Sequence, residues 1–335
     1  MLRIKARFTL PAGRETGLCH LILIAKGDAF VRDWDSKSWQ RELEKAGYLA
    51  PAKVCTALQV AAALEKPLLI EGPPGVGKTF LAKAVARVTG SRLIRLQCYE
   101  GIDASQALYE YNYGKQLLYV NILREQIKEK LNGASLKKAV EILDTEAPFW
   151  GREFLVNRPV LEALDPGDDV PRVLLVDEID RSEREFEALL LEALSDFTLS
   201  IPEFGTVQAR RKPVVFLTSN HTRELSEALR RRCIYLYIDY PSVDEETRII
   251  MANVPGAGRE FARKVAQIIN VYRKASPRHK PSVAETIDLA VALLATAGEN
   301  FNTTDVVNVV STFCKNKEDE PAAENAAQSV LEGEV

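Results

Sequence analysis

Gly72 to Thr79 read Gly-Pro-Pro-Gly-Val-Gly-Lys-Thr and fit G-x-x-x-x-G-K-[ST], the pattern of a phosphate-binding loop. Its glycines let the backbone turn with N–H groups pointing inward, where they cradle phosphate oxygens. Lys78 is set to reach the outer phosphates of a nucleotide, and the Thr79 hydroxyl to ligate Mg²⁺. The candidate binding residues are Gly72, Pro73, Pro74, Gly75, Val76, Gly77, Lys78, Thr79 and Phe80.

A second group lies in Arg172–Asp180, RVLLVDEID. A valine- and leucine-rich run ends in two acids, as a buried strand does when its C-terminal end faces a ligand. Asp177 is the candidate to hold Mg²⁺ through water, and Glu178 to polarise a water attacking a γ-phosphate. Acids also suit a helix N-terminus, but a phosphate loop upstream makes the two motifs one constellation. Pro213–Leu217 is a further buried strand, ending in Thr218-Ser219-Asn220. Asn220 is the candidate to orient the water; its plainer role is to start a turn. Leu225–Cys233, LSEALRRRC, carries Arg230, Arg231 and Arg232. Cations suit a helix C-terminus. Arginine, permanently charged and bidentate, also stabilises phosphoryl transfer from a neighbouring subunit.

These groups require a parallel sheet flanked by helices. Pro67–Ile70 leads as a strand into the loop, and the run from Phe80 leads out as a helix. Helices are expected over Ser36–Tyr48, with Ser36 as cap, and over Ala52–Glu65. Arg92–Gln97 alternates as a strand. Cys98–Tyr113 carries four tyrosines, a composition suited to packing and to partner contact. Gly114–Leu131 reads as an amphipathic helix with Leu117, Leu118, Ile122, Leu123 and Ile127 inward. Short helices follow over Ala134–Leu143 and Arg158–Leu164, and a longer one over Glu183–Leu194. A hairpin is expected over Phe197–Ala209. From Ser242 the pattern is helical, with Arg259–Tyr272, Ser282–Ala297 and Thr303–Cys314 forming a lid. From Lys315 the polar, acidic composition reads as a disordered tail.

With 46% apolar and 27% charged residues, the 335-residue chain has the composition of an ordinary globule. A net charge of -3 gives no general pull towards nucleic acid. Cys19, Cys55, Cys98, Cys233 and Cys314 are scattered without a CxxC, which reads as reduced thiols in a cytoplasmic protein without a zinc site. The apolar stretch Leu18–Ala25 is too short to span a membrane and is followed by Lys-Gly-Asp rather than a cleavage site. Residues 1–32 read as strand-like pieces around a Pro/Gly turn.

The order of parts resembles a AAA+ ATPase of the MoxR family over about Ser36–Cys314. GPPGVGKT resembles Walker A, VLLVDEID Walker B, TSN sensor 1, LSEALRRRC the arginine-finger motif and Phe197–Ala209 the pre-sensor hairpin. RLQCYEGIDASQALYEYNYGKQLLY, LLLEALSDF and KPSVAETIDLA are similar to the CoxD-type branch. The resemblance implies an α/β fold, a AAA+ P-loop ATPase core with a five-stranded parallel sheet ordered 5-1-4-3-2 between helices, and a C-terminal helical lid. The implied division is an extension over 1–35, the core over 36–241, the lid over 242–314 and the tail over 315–335. ATP and Mg²⁺ are the implied cofactors. Implied partners are further copies in a ring, hexameric in form, a von Willebrand factor A domain protein and a client metalloenzyme. For the CoxD type the client is a molybdenum hydroxylase such as carbon monoxide dehydrogenase, matured by a chaperone-like ATPase. By position Arg232 is the implied finger, with Arg231 second. Pro281–Glu285 lacks the sensor 2 arginine many relatives carry, and Arg278 lies just before it. Two rival classes are a nucleic-acid motor or loader, marked by basic clusters such as Arg210-Arg211-Lys212, and a nucleotide-gated scaffold with little turnover.

Overall fold

The computed structural model of the chain describes residues 34–131, 150–165, 167–275 and 277–333. The strands expected in residues 1–32 and the helix over Ala134–Leu143 lie outside them. The described chain opens with α1 (Ser36–Lys45) and α2 (Ala52–Leu64). The cap of α1 is Asp35, not Ser36: its carboxylate accepts from the Ser38 N–H at 2.8 Å. The shift by one residue keeps Trp39 and Leu43 buried as the periodicity requires. Next come β1 (Leu68–Glu71), α3 (Lys78–Val88) and β2 (Arg92–Gln97).

The tyrosine-rich stretch forms α4 (Ala104–Ala107) and β3 (Tyr109–Tyr111), and α5 (Tyr113–Leu131) follows. After residue 149, β4 (Leu155–Asn157) pairs antiparallel with β3, and α6 (Pro159–Leu164) packs behind it. Tyr111 is buried, and its hydroxyl donates to the Pro202 carbonyl at 3.0 Å. Helix α5 corrects an expectation. Leu117, Leu118 and Ile122 are exposed, while Gln116 is buried and Tyr119 packs on Phe154. Hydrophobic periodicity marks a face fit for burial, but a face is buried only where another element reaches it. The side chains of Leu123 and Ile127 lie outside the described residues.

Strand β5 (Arg172–Asp177) is buried at every position. It leads through a 3₁₀ turn into α7 (Arg184–Ser195), the hairpin β6 (Thr198–Ile201) and β7 (Gly205–Gln208), and then β8 (Val214–Ser219). Helix α8 (Glu227–Arg232) carries the three arginines and runs into β9 (Ile234–Tyr237). The main sheet is parallel, in the order β2-β5-β8-β1-β9. Counted along the chain among themselves, its five strands stand 5-1-4-3-2 from one edge, as expected. Because right-handed crossovers place helices on both faces, strands β1, β5 and β8 sit between two apolar layers. One layer joins the sheet to α1, α2 and α3; the other joins it to α6, α7 and the hairpin.

The remainder is helical: α9 (Val243–Asn253), α10 (Arg259–Lys274), α11 (Val283–Thr296), α12 (Thr303–Asn308) and α13 (Glu320–Leu331). These share a third core. Capping boxes at Ser242, Ser282 and Asn302 start α9, α11 and α12. A buried Arg273–Glu246 pair, bidentate at 2.8 Å, ties α10 to α9, and the Thr286 hydroxyl donates to the same carboxylate. The disordered tail expected over 315–335 is overturned by α13. Ala323, Ala326 and Ala327 are buried against the lid. Average polarity hid a stripe of alanines at helical spacing, which needs only a close-packed neighbour to be buried.

Candidate functional site

The phosphate loop leaves β1 through a gap that only glycine fits. Gly72 has φ 153°, and a Cβ there would lie 1.9 Å from the Ile238 carbonyl oxygen. Gly75 has φ 75°, and its Cβ would lie 2.1 Å from Ser282 Cβ of the lid. The Val283 N–H, in the first turn of α11, donates to the Gly75 carbonyl at 3.1 Å. The lid therefore touches the phosphate loop through its own backbone. This contact comes from Pro281–Glu285, the stretch without a sensor 2 arginine; Arg278, just before it, pairs with Glu318 at 3.8 Å.

Lys78 stands in the first turn of α3 and is buried. Its ammonium donates to the Gly72 carbonyl at 2.6 Å, the Pro73 carbonyl at 2.7 Å and Asn220 Oδ1 at 2.8 Å. Burial pulls its pKa down to about 8, against the opposing pull of Asp180, Asp177 and Glu178. All three acceptors are neutral, so an anion that displaces one of them would meet a desolvated ammonium with no direct ion-pair partner.

Asp177 ends β5, almost fully buried. Its Oδ1 accepts from Thr79 Oγ1 at 2.9 Å and Thr218 Oγ1 at 2.6 Å. A hydroxyl beside a carboxylate is a hard oxygen donor set, matched to Mg²⁺. Together with the close-fitting loop and the tethered Lys78, it fits a metal–nucleotide ligand. Glu178 follows with φ 57°, a conformation rare for a side-chain-bearing residue and costly enough to mark functional sites. Its N–H donates to Thr218 Oγ1 at 2.9 Å. Its carboxylate accepts from Asn220 Nδ2 at 3.2 Å and Gln97 Nε2 at 3.1 Å, and pairs with Arg181 Nε at 3.0 Å. Asn220 thus bridges Lys78 and Glu178. It is held from behind by Asp180, whose two oxygens accept from the Asn220 N–H at 3.2 Å. Asp180 also takes the Thr222 N–H at 2.9 Å and hydroxyl at 2.6 Å. Burial raises the Asp180 pKa, but the Thr222 and Asn220 donors outweigh it and leave the carboxyl below its usual range.

Sequence-selected residues Gly72 to Thr79, Asp177, Glu178 and Asn220 converge at the C-terminal ends of β1, β5 and β8. Phe80 is half exposed and lies 5.8 Å, centroid to centroid, from the Tyr48 ring. Arg231 and Arg232 do not join the cluster. Both are exposed: Arg231 pairs with Glu227, and Arg232 reaches only the Ala228 carbonyl at 3.5 Å. Arg230 pairs with Glu71 instead. Five contributors were not foreseen: Arg95, Gln97, Asp180, Arg181 and Thr218. The signal for the first two was the alternation in β2. Once β2 pairs with β5, Gln97 stands opposite Asp177 and Arg95 two residues behind it.

Residues 67–233 match the AAA domain of the dynein-related subfamily. The chain is 24% identical over 317 residues to the gas vesicle ATPase GvpN2 of Halobacterium salinarum, covering 91% of this chain and 82% of that one. It is 31% identical over 195 residues to midasin of Giardia intestinalis, and 35% identical over 101 residues to a Lon protease of Koribacter versatilis. These spans are 57% and 30% of this chain but only 3% and 12% of those much longer proteins. Among solved structures, the Thermotoga maritima RuvB Holliday junction branch migration motor overlaps it with TM-score 0.40 and 18% identity, over 88% of this chain and 72% of that one. Among the described residues, no helix is long and apolar enough to cross a membrane.

Proposed function

The chain has the AAA+ P-loop fold, whose ligands are ATP and Mg²⁺, and on that premise we propose that it hydrolyses ATP at a site completed by a second copy of itself. The observation that carries this reading is the Lys78–Asn220–Glu178 bridge, which sets a phosphate-reaching cation and a water-activating carboxylate on one amide. In this reading the loop backbone and Lys78 hold the β- and γ-phosphates, and Thr79 and Asp177 hold the metal. Mg²⁺, when bound, neutralises charge that develops on the phosphate oxygens. Glu178 takes the proton of the attacking water while Asn220 keeps that water in line. Positioning and electrostatics supply most of the rate in such transfers. No arginine of the same chain reaches this cluster from α8. Arg232, with Arg231 second, is proposed to act on a neighbouring copy in a ring, hexameric by resemblance.

We further propose that turnover remodels a partner protein in the manner of a chaperone, within the cytoplasm. The partner class follows from the CoxD-like motifs: a molybdenum hydroxylase such as carbon monoxide dehydrogenase, with a von Willebrand factor A domain protein as co-worker. The test is Glu178→Gln. This variant should bind ATP as the wild type does, yet release phosphate at least ~100-fold more slowly. Held in ATP, it should also retain the partner in a pull-down with the candidate hydroxylase. Wild-type phosphate release by Glu178→Gln would overturn the assignment.

A further inference from the structure

Asp177 is already saturated by its own chain. Oδ1 accepts from two hydroxyls, and Oδ2 accepts from Arg95 Nη2 at 2.6 Å and Nε at 3.0 Å. A carboxylate has roughly four acceptor sites, and all four are taken. We propose that Arg95 is a built-in competitor of Mg²⁺ at Asp177, a guanidinium that holds the metal's carboxylate until the metal displaces it. The inference rests on the ATPase reading above and concerns how its site is loaded.

Three features support it. First, Asp177 is 3% exposed, and a buried carboxylate requires a compensating cation whether or not metal is present. Among the described residues, Arg95 is the only arginine or lysine within ion-pairing distance of it. Second, Arg95 cannot yield by losing a proton, because guanidinium stays charged at any relevant pH. To admit a hydrated cation beside Oδ2 it has to swing away, and two like charges at one carboxylate oppose each other. Third, it is free to swing. Its side chain is 48% exposed, and it also donates to Gln97 Oε1 near the surface. The forked contact matches one oxygen with two donors, so lysine would hold Asp177 less well.

The opposite role is also chemically sensible: in it, Arg95 orients Asp177 for the metal. The two predict shifts of opposite sign. The experiment follows the fluorescence of an N-methylanthraniloyl ATP analogue bound to the full chain as Mg²⁺ is titrated, for wild type, Arg95→Ala and Arg95→Lys, with thermal melting as the fold check. Competition predicts that half-saturating Mg²⁺ falls by about tenfold in Arg95→Ala, with Arg95→Lys between it and wild type. An unchanged or raised half-saturating Mg²⁺ in Arg95→Ala overturns the proposal, as does the same result in Arg95→Lys should the alanine variant melt early. If the wild type itself fails to bind the analogue at any Mg²⁺ concentration, the ATPase reading falls and this inference with it. If the wild type binds in a Mg²⁺-dependent way and the variants match it, only the role of Arg95 is lost.

Discussion

Arg230 Nη2 stands 2.7 Å from Glu71 Oε1, so the first of three consecutive arginines neutralises the buried carboxylate that ends β1 just before the phosphate loop. The same guanidinium lies 5.7 Å from the Tyr235 ring centroid. Arg230 is committed within its own chain. Arg230→Ala leaves the buried Glu71 carboxylate with only His221, at 3.7 Å, as an ion-pair partner among the described residues, and should cost about 1–3 kcal/mol in urea unfolding. Arg231→Ala and Arg232→Ala, at exposed positions, should change it by less than about 0.5 kcal/mol.

The exposed pair should matter to catalysis instead. Arg232→Ala should bind ATP and hydrolyse it at least ~100-fold more slowly. Mixing it with Lys78→Ala protein should restore part of the phosphate release, since some interfaces then combine an intact loop with an intact arginine. Absence of rescue in demonstrably mixed assemblies would rule out action in trans.

The lid's grip on the loop predicts a second phenotype. Gly75→Ala places a methyl group against Ser282 Cβ and forces a side chain to adopt positive φ. Neither Cβ is the end of a flexible side chain, so the lid has to move. The variant should lose ATP affinity, and protease should cut the linker Ile238–Ser242 faster than in wild type. The Gly47→Ala control also has positive φ but meets nothing within 4 Å, and should leave both readings near wild type.

Asp180 supports Asn220 through charge-assisted bonds, and its pKa is lowered in the fold. A lowered carboxyl contributes stability that is present above the unfolded pKa of about 4 and is lost as pH falls through the folded value. Asp180→Asn should therefore be less stable than wild type at pH 7. The gap should narrow as urea midpoints are taken at pH values falling below about 4.

Helix α13 packs its alanine face into the lid core. Ala326 is 2% exposed in the lid core, so Ala326→Glu buries an unpaired carboxylate and should cost about 2–4 kcal/mol. A free tail would tolerate the change without effect on the unfolding midpoint.

Local sequence determined the pieces of this protein whose physics is local. The Gly-rich turn before Lys78, the buried run ending in Asp177-Glu178 and the apolar strand before Asn220 are each dictated by residues adjacent in the chain. Their convergence followed from one rule, that parallel strands buried on both faces present their C-terminal ends together. Tertiary structure alone decided which polar groups meet at those ends. Arg95 reaches Asp177 only through the β2–β5 register, Asp180 reaches Asn220 across β5 and β8, and Ser282 reaches Gly75 from the lid. It also separated Arg230 from Arg231 and Arg232, three identical side chains in a row. A turn of helix points each one differently, and only Arg230 finds Glu71 within reach. The leucines of α5 and the alanines of α13 carry the same lesson with opposite outcomes. A helical stripe is buried when a neighbour lies against it, and that neighbour is set by the fold rather than by the stripe.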